Sequence, residues 1–202
     1  MRVITVLLSV LFLVSTSQGR VEITPFTGYQ IGGELDDAVT GATLELRETS
    51  NFGFILGFGK EGSGTQTEIY FSRQETEIEG SGAFSSASLF DMDVDYYHIG
   101  GSVVVNETEN LKPFIAASLG ATHFRPRGAG VSSQTDFSFG IGGGAKYFLT
   151  DRVGLRAEVR AMGTLLERDS AAFCAGGTCL VVGSSEVLWQ FNAILGLIIV
   201  VP

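Results

Sequence analysis

The sequence predicts an all-β chain folded as an eight-stranded antiparallel up-and-down transmembrane β-barrel, and three observations carry that prediction. Segments of about ten residues alternate apolar and polar side chains between turn-forming clusters, the period expected of a strand with one apolar face. The composition, 27 Gly and 15 Phe against 4 Pro, favours close-packed pleated surfaces over helices. The links between segments alternate short and long, as they do where strands turn tightly on one side of a membrane and loop out on the other.

Residues 1–19 read as a secretory leader, with a basic Arg2, an apolar run from Val3 to Val14, and small residues Ser17 and Gly19 ahead of Arg20. That run is shorter than the ~20 residues needed to cross a bilayer as a helix, so export with cleavage is the expectation, and residues 20–202 form one barrel domain. The apolar tail "AILGLIIVVP" is short and β-branched and does not qualify as a spanning helix. A formal charge of -9 with no run of Lys and Arg excludes a nucleic-acid partner. Cys174 and Cys179 flank "AGGT" in a loop of small residues, so an exported chain is expected to join them as a disulfide. Two thiols alone make an incomplete metal shell, and neither a metal nor a cofactor is expected.

The first predicted strand, 21–33, sets Val21, Ile23, Tyr29 and Ile31 against Glu22, Thr24 and Gln30. A polar stretch, "ELDDAVTGATLELRET", follows it. The second, 51–59, groups Phe52, Phe54, Leu56 and Phe58 opposite Asn51, Gly53, Ile55 and Gly57, and "KEGSG" turns it into the third, 65–73, where Glu68 and Ser72 oppose Ile69 and Phe71. A long polar and small-residue stretch from Gln74 to about Asp91 reads as a loop. The fourth strand, 94–105, places Tyr97, Ile99, Val103 and Val105 on one row and His98 and Ser102 on the other; Val94 and Tyr96 fall on the wrong parity, and Gly100-Gly101 suggests a bulge. The fifth strand is 112–124. The sixth, 135–148, alternates Phe137, Phe139, Ile141, Ala145 and Tyr147 with Asp136, Ser138, Gly140, Gly142, Gly144 and Lys146. In the seventh, 153–163, a row of Val153, Leu155, Ala157, Val159 and Ala161 faces away from Arg156, Glu158 and Arg160. The eighth, 186–201, sets Val187, Trp189, Phe191, Ala193, Leu195, Leu197 and Ile199 opposite Glu186, Gln190 and Asn192.

Two barrels satisfy these rows. In a membrane barrel the charged rows point into the lumen, because Lys or Arg facing hydrocarbon at the bilayer midplane costs about 2–4 kcal/mol. In a soluble, lipocalin-like ligand-binding barrel the rows invert. Bulk favours the membrane: Phe52, Phe54, Phe58, Phe137, Phe139, Tyr147, Trp189 and Phe191 overfill an eight-stranded interior, whereas the opposing Gly-rich rows leave room there for charge. These eight are expected to face lipid, and Glu68, Asp136, Lys146, Arg156, Glu158, Arg160, Glu186, Gln190 and Asn192 to face the lumen. Tyr29, Tyr97, Tyr147 and Trp189 suit aromatic girdles at the membrane surfaces.

The segments "ITPFTGYQIGG", "KPFIAASLGATHFRP" and "DRVGLRAEVRAMGT" resemble the outer-membrane β-barrel domain family, the small porin-like group that includes OmpA-like and OmpW-like barrels, over essentially all of 21–201. The resemblance implies a Gram-negative-type outer membrane as the address, outer-membrane lipids and the barrel-assembly machinery as partners, a monomer, and a structural or surface-interaction role, with narrow passage of small solutes as the next possibility. One departure is the ending "LIIVVP", where such barrels commonly finish in an aromatic residue read by that machinery.

No catalytic residue is assigned. The family includes lipid A-modifying hydrolases with a His and a Ser on the barrel surface, and His123 lies near Ser118, but such a pair arises easily by chance; His98 is expected to be an inward polar residue and His123 a residue near a strand end. The ladder Arg156, Glu158, Arg160 would either select ions or neutralise partners across a filled lumen, and the narrowness of eight strands favours the second. The acidic residues Glu34, Asp36, Asp37, Glu75, Glu77 and Glu79 are read as solvated loop charge, with divalent-cation binding as the alternative. "GIGGGAK" lacks the Lys-Ser/Thr ending of a phosphate loop and lies in an alternating strand, so it is rejected.

Overall fold

The computed structural model describes residues 19–36, 43–60, 62–80, 88–127, 133–166, 172–175, 178–181 and 187–201. Among the described residues twelve strands are found: β1 (Gly19–Gly32), β2 (Glu34–Asp36), β3 (Thr43–Leu46), β4 (Thr49–Lys60), β5 (Thr65–Gly80), β6 (Ser88–Val104), β7 (Leu111–Pro126), β8 (Gln134–Phe148), β9 (Val153–Leu165), β10 (Ala172–Ala175), β11 (Thr178–Val181) and β12 (Val187–Val201). Eight of them close a ring in the order β5-β4-β1-β12-β9-β8-β7-β6, with β6 returning to β5, and every pairing is antiparallel. The eight-stranded up-and-down barrel expected from the alternation is therefore the architecture found. Closure gives each of the eight a paired neighbour on both sides, the condition hydrocarbon imposes on a strand that crosses it, with the β1–β12 ladder interrupted at Thr24 and Pro25, the latter having no N–H to donate.

Links at one end are short, spanning 61–64, 105–110 and 149–152, and both β1 and β12 have their outer termini there. At the other end the links are longer, and two of them carry hairpins, β2–β3 and β10–β11. The polar stretch after the first strand, expected as a loop, thus contains strands. The chain bends at Gly32 and Gly33, which have φ of 84° and 110°, and β3 then pairs with the upper part of β5 where β4 leaves off. A Cβ on Gly33 would sit 2.7 Å from Leu46 Cδ1, so the bend and the packing of Leu46 both call for glycine.

Two further expectations need correction. The third strand does not stop at Arg73 but runs to Gly80, paired with β6 from Ser88, so most of the predicted Gln74–Asp91 loop is a paired ribbon. Its outward residues Arg73, Glu75 and Glu77 imitate a loop in sequence because that part of the outer wall is charged, while Gln74 and Thr76 point inward and are buried. The fourth strand has no bulge at Gly100-Gly101, where pairing with Glu68 and Thr67 is continuous; the register shifts instead at Ile78/Glu79. Val94 and Tyr96 point inward with His98, because the interior at the long-link end is apolar.

Inside and outside change character in opposite directions along the axis. Toward the short turns the interior is ionic and the outer wall aliphatic and aromatic; toward the long links the interior holds Met92, Val94, Phe124, Met162, Leu166 and Leu188, and the outer wall of β5–β7 is charged. The Gly row of β8 makes the ionic part possible. Gly142 and Gly144 stand beside Arg160 and Glu158 of β9, and a Cβ on Gly142 would lie 2.7 Å from the Val159 carbonyl oxygen and 3.1 Å from Arg160 Cα. Gly142→Val is accordingly expected to lower stability by about 1–3 kcal/mol, measured as a lower urea midpoint for the protein refolded in lipid.

Candidate functional site

Buried charged side chains from several strands converge in the lumen. Alternation on β9 aims Arg156, Glu158 and Arg160 inward, and all three are buried, Arg156 to 2% exposure. Glu68, on β5, stands across the ring from β9, four strands away in either direction. Arg156 crosses that gap as a bidentate donor, Nη1 to Glu68 Oε1 at 2.8 Å and Nη2 to Oε2 at 3.0 Å, while its Nε donates to Glu158 Oε2 at 2.9 Å. Arg160 Nε donates to the other Glu158 oxygen at 2.8 Å, and its Nη2 lies 3.7 Å from Glu68 Oε2. Ser102 donates to Glu68 at 2.7 Å.

Nearer the short turns, Lys146 Nζ donates to Glu22 Oε2 at 2.8 Å and to Gln66 Oε1 at 2.5 Å, with Glu68 at 3.9 Å. Aromatic faces cover the cations from the side: the Arg156 guanidinium carbon is 4.4 Å from the Phe114 ring centroid, and that of Arg160 is 4.4 Å from the Tyr70 ring. The buried set Lys146, Arg156, Arg160 against Glu22, Glu68, Glu158 balances in charge.

Above this layer the network becomes neutral. His98 lies between Ser118 Oγ at 3.0 Å and Ser138 Oγ at 2.8 Å. Asn192 donates to the Tyr70 hydroxyl at 2.9 Å, Tyr96 donates to Gln190 at 2.6 Å, and Gln190 donates to Gln74 at 3.2 Å. Asp136 is also buried, accepting from Gln134 at 2.9 Å.

Among the residues expected in the lumen, the structure brings Glu68, Lys146, Arg156, Glu158, Arg160, Gln190 and Asn192 into this connected interior and places Asp136 higher up; Glu186 lies outside the described residues. Glu22, Tyr70 and Tyr96 were missing from that expectation. Glu22 alternates visibly with Val21 and Ile23, but Tyr70 is hidden inside the apolar run Ile69-Tyr70-Phe71 and Tyr96 beside Tyr97. On the outer wall stand Phe52, Phe54, Phe58, Phe137 (51% exposed), Tyr147, Trp189 and Phe191. Phe139 is there too, half-buried because its ring lies over Gly163 and meets the Trp189 ring edge-on at 5.5 Å. The inverted arrangement, with these rings inside, is not the one adopted. His123 and Ser118 point to opposite sides of the wall: Ser118 is in the lumen, and His123 contacts Thr135 Oγ1 at 2.7 Å on the outside. Cys174 and Cys179 stand directly opposite each other in the β10–β11 register.

The family pattern described as outer membrane protein beta-barrel domain matches residues 5–172. Among solved structures, Neisserial surface protein A is similar at 14% identity and a TM-score of 0.57, over 91% of this chain and 97% of that one. The outer membrane protein AlkL, solved in lipid bilayers, is similar at 15% identity and a TM-score of 0.55, over 92% and 91%. OprG from Pseudomonas aeruginosa is similar at 8% identity and a TM-score of 0.55, over 91% and 93%. Among curated protein sequences nothing matches. A ring whose outer wall is apolar, whose interior is ionic and whose chain fits that family pattern over most of its length belongs to the outer membrane protein beta-barrel domain family, and this protein is accordingly a β-barrel of the outer membrane.

Proposed function

We propose that this is an exported outer-membrane barrel of a Gram-negative-type cell, with a structural and surface-interacting role and a lumen that is filled rather than conducting. The observation that carries the reading is the Arg156–Glu68 bridge, which joins opposite walls of the ring and is tied into Glu158, Arg160 and Lys146. Two guanidinium groups, with Tyr70 and Tyr96 on either side of His98 toward the long-link end, occupy the cross-section that a solute would need. The outer wall meets membrane lipid, with Phe52, Phe54, Phe58, Phe137, Phe139, Tyr147, Trp189 and Phe191 as the lipid-facing residues, and the long links present the surface available to external partners.

The chain acts as a monomer delivered by the leader 1–19 and inserted by the barrel-assembly machinery. No catalytic role is assigned: the His123–Ser118 pairing that suited a lipid hydrolase is split across the wall. Export also supports a disulfide across the β10–β11 hairpin, since direct antiparallel opposition brings two backbones to a separation that a disulfide spans.

Planar-bilayer recordings test the filled lumen: the refolded protein is expected to be silent, and steady single-channel currents altered by Arg156→Ala or Arg160→Ala would establish a pore instead. Arg156→Ala is also expected to cost about 3–5 kcal/mol of unfolding free energy, since it strands Glu68 without its main partner and takes one of two arginines from Glu158. For the hairpin, maleimide labelling of the folded protein is expected to give no adduct before reduction and labelling of both cysteines after it.

A further inference from the structure

On the outer wall, an apolar depression lies directly beneath a tier of arginines. The depression, about 550 Å³, is lined by Phe54 of β4, Ile69 and Phe71 of β5, Tyr97 and Ile99 of β6, and Leu119 of β7. Phe54 and Phe71 (ring centroids 5.4 Å apart), then Phe71 and Tyr97 (5.2 Å), form a continuous aromatic shelf along it. One outward position further toward the long links, β5 carries Arg73 and β6 carries Asp95, opposed in register as Phe71 and Tyr97 are below them.

Arg73 donates to Asp95 through Nε at 2.7 Å and Nη2 at 2.9 Å, and Arg125 of β7 donates to the same carboxylate at 2.6 Å. Asp95 is 0% exposed although it belongs to the outward row, because the two guanidinium groups cover it. The side chains of Arg73 and Arg125 remain 31% and 38% exposed. Those three bonds leave most of their ten N–H donors uncommitted, and Arg125 Nε is buried without a partner. Farther out, Arg127 is shared by Asp93 at 2.5 Å and Glu75 at 3.1 Å. The six charges sum to zero and are layered, Arg73 and Arg125 on Asp95 next to the apolar wall and Arg127 on Asp93 and Glu75 beyond it, with Arg125 Nη2 also 4.0 Å from Asp93 Oδ2.

The geometry points to a binding site for one phosphorylated membrane lipid, its phosphate on Arg73 and Arg125 and an acyl chain lying in the depression below them. A guanidinium pair at the edge of the hydrocarbon, with donors to spare, matches a phosphate that must sit at that level when its chain lies against the wall. Neutral lipid satisfies the depression and leaves the donors unmet. The site rests on the bilayer placement of the outer wall and is independent of whether the lumen conducts.

Native mass spectrometry of the refolded full chain in nonionic detergent tests it, with dioleoyl phosphatidate as the probe and dioleoylglycerol as its phosphate-free counterpart. The expected result is a retained one-to-one phosphatidate adduct, populated about tenfold more than the diacylglycerol adduct. The variant Arg73→Gln/Asp95→Asn/Arg125→Gln, which leaves no buried carboxylate unpaired, brings the two probes level. Leu119→Trp fills the depression and removes both adducts, and Arg127→Gln changes neither. Heat-modifiable gel migration confirms that each variant is folded. Equal phosphatidate adducts in the parent protein and the triple variant would overturn the phosphate site, and adducts indifferent to Leu119→Trp would overturn the acyl seat.

Discussion

The carboxylate of Glu68 is the point on which the interior depends. It takes both terminal nitrogens of Arg156 from across the ring, a hydroxyl from Ser102, and the outlying fields of Lys146 and Arg160. An ion in so enclosed a space is tolerable only when its lone pairs are used and its charge is matched, because desolvation costs several kcal/mol per ion. Three cations and three anions meet that condition here, provided the neighbouring strand leaves space for them. The Gly row of β8 supplies the space, so backbone composition on one strand and charge on the next are a single feature of the fold.

The two halves of the molecule along its axis follow opposite packing rules. Where the outer wall meets hydrocarbon, the polar groups gather within and satisfy one another. Where the ribbon β5–β6 and its neighbours rise past Arg73, the wall is charged and the centre fills with Met92, Val94, Phe124 and Leu188, the arrangement of an ordinary water-soluble barrel. The exchange takes place within one step of the pleat, between Phe71 and Arg73 on β5 and between Tyr97 and Asp95 on β6. That step marks the edge of the bilayer on this face without reference to any ligand.

This exchange also explains what was legible in the sequence. Within the spanning part, period-two alternation in β8, β9 and β12 was visible, and with it the inward direction of Lys146, Arg156, Glu158 and Arg160. Beyond the bilayer the same alternation persists in the backbone, but the outward Arg73, Glu75 and Glu77 are charged while the inward row is polar on β5, at Gln74 and Thr76, and apolar on β6, at Met92 and Val94. The 74–91 stretch therefore looked like a loop, and Val94 and Tyr96 looked out of phase. Pairing across the lumen was invisible for a different reason. Arg156, Glu158 and Arg160 are neighbours on one strand, whereas Glu68 is 88 residues from Arg156 and meets it only because the ring places β5 opposite β9.

Seven of the eight seams of the ring join strands that follow one another along the chain, and the eighth joins β1 to β12, with Val21 beside Val201. A polypeptide cut short anywhere before β12 has two open margins whose amides would each forfeit several kcal/mol in hydrocarbon. No partial product can settle in the membrane as a smaller version of the whole. Insertion has to wait for the last strand to arrive, so biogenesis is committed late and the unfinished chain must be held in water until then.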